Sequence, residues 1–215
     1  KTSFATSRDD LKPALSGVYL NINEKETTAV ATDGHRLVKF IKERNGSEKN
    51  ALVVPGKFLK IIKNTIKKEE MLRVNIDENT LSTNQGVFTI TTRIIKETFP
   101  DFNSVIPDNN TIKATIETQK LISCLKRVSI FSNRTTKQTV LSFSDQSVMI
   151  SAQDPETSTS GKEHADCEYE GEPLTVSYNA KYLIEVLQHI DTQKTNIYLS
   201  TPLSAAIIKP EKQKD

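Results

Sequence analysis

An acid, an imidazole and a guanidinium stand close together at Asp33, His35 and Arg36. Such a set could supply a catalytic base, and a small α+β hydrolase using these three residues is one reading of the chain. No serine or cysteine is spaced to act as its nucleophile, and no second histidine gives metal-ligand spacing. The neighbouring residues favour a structural role. Asp33-Gly34 lies between β-prone residues 27–31 and 37–41, where a hairpin tip needs positive φ.

A second suggestive set is cationic. Over residues 56–67 the apolar pattern turns helical, gathering Phe58, Leu59, Ile61, Ile62 and Ile66 on one side at about 100° per residue. Lys57, Lys60, Lys63 and Lys67 collect on the other side, and Glu69 and Glu70 come only after the segment. The row reads as a solvated helix face or as a functional cationic surface. Cys124 and Cys167 are far apart, without CxxC or Cys/His spacing, so they read as reduced cytosolic thiols, and neither a structural metal nor a cofactor is expected.

Composition bounds the rest. The chain has 215 residues and a formal net charge of +2, which suits one or two domains of about 100 to 150 residues. The total charge does not by itself mark a nucleic-acid binder, although Lys and Arg outnumber Asp and Glu in the first half and fall short in the second. No run approaches the roughly 18 apolar residues of a membrane span, so a soluble protein is expected. Residues 1–8 lack the apolar core of a signal peptide and read as the last turns of a helix already under way.

These candidate residues must be positioned by strands and helices. Alternation predicts strands at 15–22, 27–31 and 37–42, a short extended piece at 51–54, Pro55 at the start of a helix, then strands at 71–76, 80–83 and 87–95. Two prolines frame residues 99–107 and exclude a regular element there, and residues 107–111 read as a linker. Beyond it the pattern predicts a helix at 117–131, strands at 139–143 and 147–152, a polar loop from Asp154 to Gly161, and a strand at 162–169. A helix at 179–189 and strands at 196–200 and 203–208 close the chain.

The halves also agree in letters. Ala31-Thr-Asp33 corresponds to Ala152-Gln-Asp154, and Lys57-Phe-Leu59 to Lys181-Tyr-Leu183. The repeat implies two copies of one α+β unit, taken as residues 1–108 and 109–215.

With these features in view, Ala31-Thr-Asp-Gly-His-Arg-Leu37 resembles the signature of the bacterial DNA sliding clamp, the beta subunit of the DNA polymerase III holoenzyme. Leu15-Ser-Gly17, Val54-Pro-Gly-Lys57, Phe99-Pro-Asp-Phe102, Val105-Ile-Pro107 and the helix around 182–187 follow in the same order and spacing. The resemblance covers essentially the whole chain. It implies the middle and C-terminal clamp domains, each with two helices packed on antiparallel sheets, without the first domain and without the last residues of the third.

The resemblance further implies a non-catalytic, cytoplasmic processivity factor. In the family a homodimeric ring encircles duplex DNA independently of sequence and tethers polymerase, clamp loader and repair proteins. Its implied DNA-facing residues are Lys57, Lys60, Lys63 and Lys67, with Arg8, Lys12, Lys126 and Arg127 as further candidates. Its implied groove for short apolar partner peptides lies between the domains and matches Leu15, Thr32, Gly34, His35, Arg36, Leu37, Pro100, Val105, Leu203 and Ala205. Ser104 departs from the arginine often found there, and the apolar C-terminal tail that completes the groove is absent. Without a first domain the chain is expected to be monomeric. A generic protein-interaction domain is the remaining alternative.

Overall fold

Strand alternation in the first half builds an antiparallel sheet with two usable faces. The computed structural model describes residues 1–65, 72–85 and 88–212. Strands β1 (Gly17–Ile22), β2 (Glu26–Thr32), β3 (Leu37–Glu43) and β4 (Asn50–Pro55) form a sheet in the order β3-β2-β1-β4. One face carries Val18, Leu20, Ala31, Leu52 and Val54, and helix α1 (Gly56–Thr65) lays Phe58, Leu59 and Ile62 against it. The other face carries Tyr19, Val30, Leu37 and Val53 and is covered by Ile95, Phe99 and Phe102. Strands β5 (Arg73–Ile76), β6 (Thr80–Gln85) and β7 (Phe88–Arg93) make a three-stranded sheet whose Leu81, Ile76 and Ile90 join the core under α1.

The second half uses a wider sheet. Strands β8 (Ile112–Glu117), β9 (Gln138–Ser144), β10 (Ser147–Asp154), β11 (Thr159–Glu170), β12 (Leu174–Asn179), β13 (Lys194–Leu199) and β14 (Ile207–Pro210) run in the order β12-β9-β10-β11-β8-β13-β14. Helices α2 (Thr118–Val128) and α3 (Ala180–Leu187) press Leu121, Leu125, Val128, Leu183 and Leu187 onto Leu141, Phe143, Ile150 and Ile197. The start of α2 is tied to β13: the Thr118 amide donates to the Gln193 carbonyl at 2.8 Å and its hydroxyl pairs with that of Thr195 at 2.7 Å. Asn179 caps α3 by accepting from the amides of Lys181 and Tyr182, which satisfies two otherwise orphaned donors.

The chain divides into Lys1–Phe102 and Asn103–Asp215. The Asn110 side-chain amide donates to the carbonyls of Tyr198 and Ala205, which fastens residues 107–111 to the second unit. The duplication is visible in topology, since β3-β2-β1-β4 and β11-β10-β9-β12 share one strand order and a helix follows the last strand of each. The fold is α+β, with helices packed on antiparallel sheets.

Several expectations are corrected. Residues 1–8 contain one 3-10 turn at Ser3–Ala5 instead of α-helical turns. Thr6 lies extended and its hydroxyl donates to the Ser3 carbonyl, so a side chain competes with helical bonding. Pro55 ends β4, opposite Gly17, and the helix starts at Gly56. Ile61 is 51 % exposed, because the helical angle places it at the rim beside the lysines and away from Phe58 and Ile62. The polar loop predicted for 154–161 is a tight turn: Asp154 accepts from the Glu156 amide at 3.2 Å and Ser158 adopts φ +52°, so β11 starts at Thr159. The last strand begins at Ile207, because residues 201–204 close a turn in which the Thr201 and Ser204 hydroxyls pair at 2.6 Å. Strands β8 and β12 had no sequence-based expectation. Expectations for Ile66, Lys67, Met71, Gly86 and Val87 lie outside the described residues.

Candidate functional site

The Asp33-Gly34 tip is built by its own side chains. Asp33 Oδ1 accepts from the amides of His35 and Arg36 at 3.0 and 3.1 Å, and the Thr32 hydroxyl accepts from the Gly34 amide at 3.0 Å. Gly34 sits at φ +92°, where a β-carbon would be strained. Arg36 folds back: Nε lies 3.3 Å from Asp33 Oδ2, Nη2 donates to the Phe4 carbonyl at 3.2 Å, and the guanidinium stands 5.4 Å from the centre of the Phe4 ring. The Asp33 carboxylate is therefore committed to the turn and to Arg36, an arrangement that holds a loop and leaves no geometry for proton abstraction. Among the described residues no three or more His, Cys, Asp or Glu side chains gather as metal ligands.

Next to this turn the first unit presents an apolar wall. Leu15 and Leu37 pack with Tyr19, Val30, Val53, Ile95, Phe99 and Phe102. Phe99 stacks on Tyr19 with ring centres 5.4 Å apart, and Phe102 meets the same ring at 5.9 Å. Pro100 is exposed between them, as are Gly34 and His35. Of the implied groove residues, Leu15 and Leu37 thus share one cluster, while Thr32, Gly34 and Arg36 make the adjoining turn. In the second unit Val105 is 63 % and Leu203 98 % exposed, the latter on the turn before β14, and the Ala205 carbonyl is held by Asn110.

Among the described residues the cationic candidates separate into exposed and ion-paired. Lys57, Lys60 and Lys63 are all exposed on α1, opposite buried Phe58 and Ile62. Arg8 and Lys12 are exposed on the loop after the 3-10 turn, not on a helix. Lys126 is exposed near the end of α2. Arg127 is forked onto Glu163 of β11, with Nε and Nη2 each 2.6 Å from a carboxylate oxygen. This two-pronged bond holds the Glu163 carboxyl down at about 2, and it neutralises the Arg127 charge locally. The pairing joins residues far apart in sequence and has no local signal. The two thiols are buried, and burial pushes Cys167 up to about 11. No described helix is long and apolar enough to cross a membrane.

Comparison with known proteins decides the family. Residues 1–101 match the central-domain model of the DNA polymerase III beta subunit, and residues 103–215 match its C-terminal-domain model. The chain belongs to the DNA polymerase III beta subunit family. It is 28 % identical over 214 residues to the beta sliding clamp of Staphylococcus aureus, covering 98 % of this chain and 57 % of the relative. The corresponding protein of Pseudomonas putida is 27 % identical over 212 residues, covering 97 % of this chain and 58 % of the relative. The chain thus spans less than two thirds of the curated relatives it matches. Among solved structures, a DNA polymerase sliding clamp from Pseudomonas aeruginosa superimposes with a TM-score of 0.94 at 28 % identity, over 100 % of this chain and 59 % of that one. A sliding clamp of the same organism bound to griselimycin gives 0.94 at 26 % identity, over 99 % and 58 % of the two chains.

Proposed function

We propose that the chain supplies the central and C-terminal domains of a ring-forming sliding clamp, a processivity factor that encircles duplex DNA and tethers polymerase, clamp loader and repair proteins to it. The observation that carries this reading is the match of the whole chain to two consecutive domains of one family. The work is mechanical and makes or breaks no bond. A ring that slides cannot read bases, and it needs diffuse positive charge without bidentate locking. Exposed Lys57, Lys60 and Lys63 on one helix face suit that need, because a lysine is a flexible point charge. Arg8, Lys12 and Lys126, each exposed, are further candidates for phosphate contact, as is Lys67 by its place in the sequence, while Arg127 contributes less because Glu163 neutralises it.

Partners dock through short apolar peptides. Leu15 and Leu37 supply an apolar wall for a Leu or Phe anchor, with Thr32, Gly34, His35, Arg36 and Pro100 around it. Val105, Leu203 and Ala205 are the further residues that the resemblance carries over to such a groove. The ring is a homodimer, and it works in the cytoplasm with both cysteines reduced. The hydrolase reading is disfavoured, since Asp33 is occupied by the turn amides and Arg36.

The test is topological. Clamp subunits whose central and C-terminal domains are this chain are loaded on closed circular DNA, which is then cut once. The protein should stay on the circle and leave the linear product. Retention that does not change on cutting would refute the ring.

A further inference from the structure

The duplicated units cover the same sheet face differently. In the first, the strap of residues 95–102 roofs the face bearing Tyr19, Val30 and Val53: the Ile95 amide donates to the Val53 carbonyl at 2.9 Å, Phe99 stacks on Tyr19, and Lys39 Nζ stands 5.6 Å from the centre of the Phe102 ring. Strand register gives the counterparts. Val30 lies opposite Tyr19 and Lys39, and Ser151 lies opposite Val140 and Lys162. Likewise Tyr19 faces Val53 and Val140 faces Ser177. On the second unit the bulky members of the set are thus replaced by smaller ones, while the lysine is kept. Val30 and Val53 are buried, whereas Ser151 is half-buried and Ser177 exposed. Here the face opens as a concavity of about 580 Å³ lined by Val140, Ser151, Gln153, Ser160 and Lys162, among others.

We propose that this concavity docks an extended peptide of a partner protein carrying an aromatic side chain, held as the 95–102 strap is held on the first unit. The argument for this occupant is the molecule's own second copy of the site. Its volume is within the range of about 300 to 1,000 Å³ typical of ligand pockets. Replacing Tyr19 by Val140 and Val30 by Ser151 leaves room for a ring on the sheet, and Lys162 is placed to cover that ring as Lys39 covers Phe102. Gln153 and Ser160 at the rim offer donors and acceptors to the peptide main chain.

The probe is the free peptide of residues 94–102, titrated into isotopically labelled chain and followed by amide chemical shifts. Saturable shifts are expected at Val140, Ser151 and Lys162, with a dissociation constant on the order of 1 mM or tighter. Lys162→Ala, at an exposed position, should weaken binding by about threefold. Val140→Asp should abolish it, as should a peptide with alanine at both phenylalanine positions. Shifts confined to residues around Tyr19, no shifts at all, or equal binding of the phenylalanine-free peptide would each overturn the proposal.

Discussion

Replacing Phe99 by alanine tests whether the strap holds the first unit together. The ring is 9 % exposed, stacks on Tyr19 at 5.4 Å and an interplanar angle of 17°, and packs with Val30 and Val53. Removing such a side chain costs about 3 to 5 kcal/mol, transfer and cavity terms together. For a unit of this size each kcal/mol shifts the midpoint by about 4 to 8 °C, so the first unit should melt at least about 12 °C lower. Calorimetry reports the two units, and the transition of the second should not move, since its core around Phe143 and Tyr169 shares no residue with the strap. Phe99→Leu should recover more than half of the loss. The wall formed by Leu15 and Leu37 loses its backing in the alanine variant, so affinity for a leucine-rich or phenylalanine-rich peptide should fall with stability. A midpoint shift below about 4 °C, or equal shifts of both units, would refute this account of the strap.

Three further outcomes follow from the site. Asp33→Asn keeps the side-chain oxygen that accepts from His35 and Arg36 and should preserve peptide binding, while Asp33→Ala should cost about 1 kcal/mol in denaturant titration. Leu37→Asp should weaken a Leu/Phe peptide at least about tenfold by calorimetric titration, since an anchor loses roughly 1.5 to 3 kcal/mol of apolar burial. Because Arg127 holds the Glu163 carboxyl near 2, below its unfolded value, the ion pair stabilises above about pH 4.5 and the contribution disappears as pH falls through about 2. The difference in melting temperature between the natural chain and Glu163→Gln should therefore be present at pH 6 and vanish toward pH 2.

Much of the architecture was legible because it is written in local pattern. The change from period two to a helical period at residue 56 predicts α1, and the matched pairs Ala31-Thr-Asp33 with Ala152-Gln-Asp154 and Lys57-Phe-Leu59 with Lys181-Tyr-Leu183 predict the duplication seen in strand order. Strand β8 escaped because it is a central strand: Ala114, Thr115 and Ile116 are buried in succession, so the alternation that marks a half-exposed strand is missing. Strand β12 does alternate, and only its position after the Gly171–Pro173 break hid it. The role of Asp33 was legible from the Asp-Gly dipeptide. The seat of Arg36 on Phe4 and of Arg127 on Glu163 was not, because each joins residues more than thirty positions apart that no spacing rule connects.

The claim that α1 faces a polyanion is tested most directly by the salt dependence of duplex binding. In the assembled clamp, replacing Lys57, Lys60 and Lys63 together by alanine should flatten the slope of log affinity against log salt by up to about 2.7, near 0.9 for each phosphate that is no longer neutralised, equally on unrelated DNA sequences. Because all three side chains are exposed, the folded structure should be unchanged. An unaltered slope, or a weakening confined to one sequence, would contradict the account.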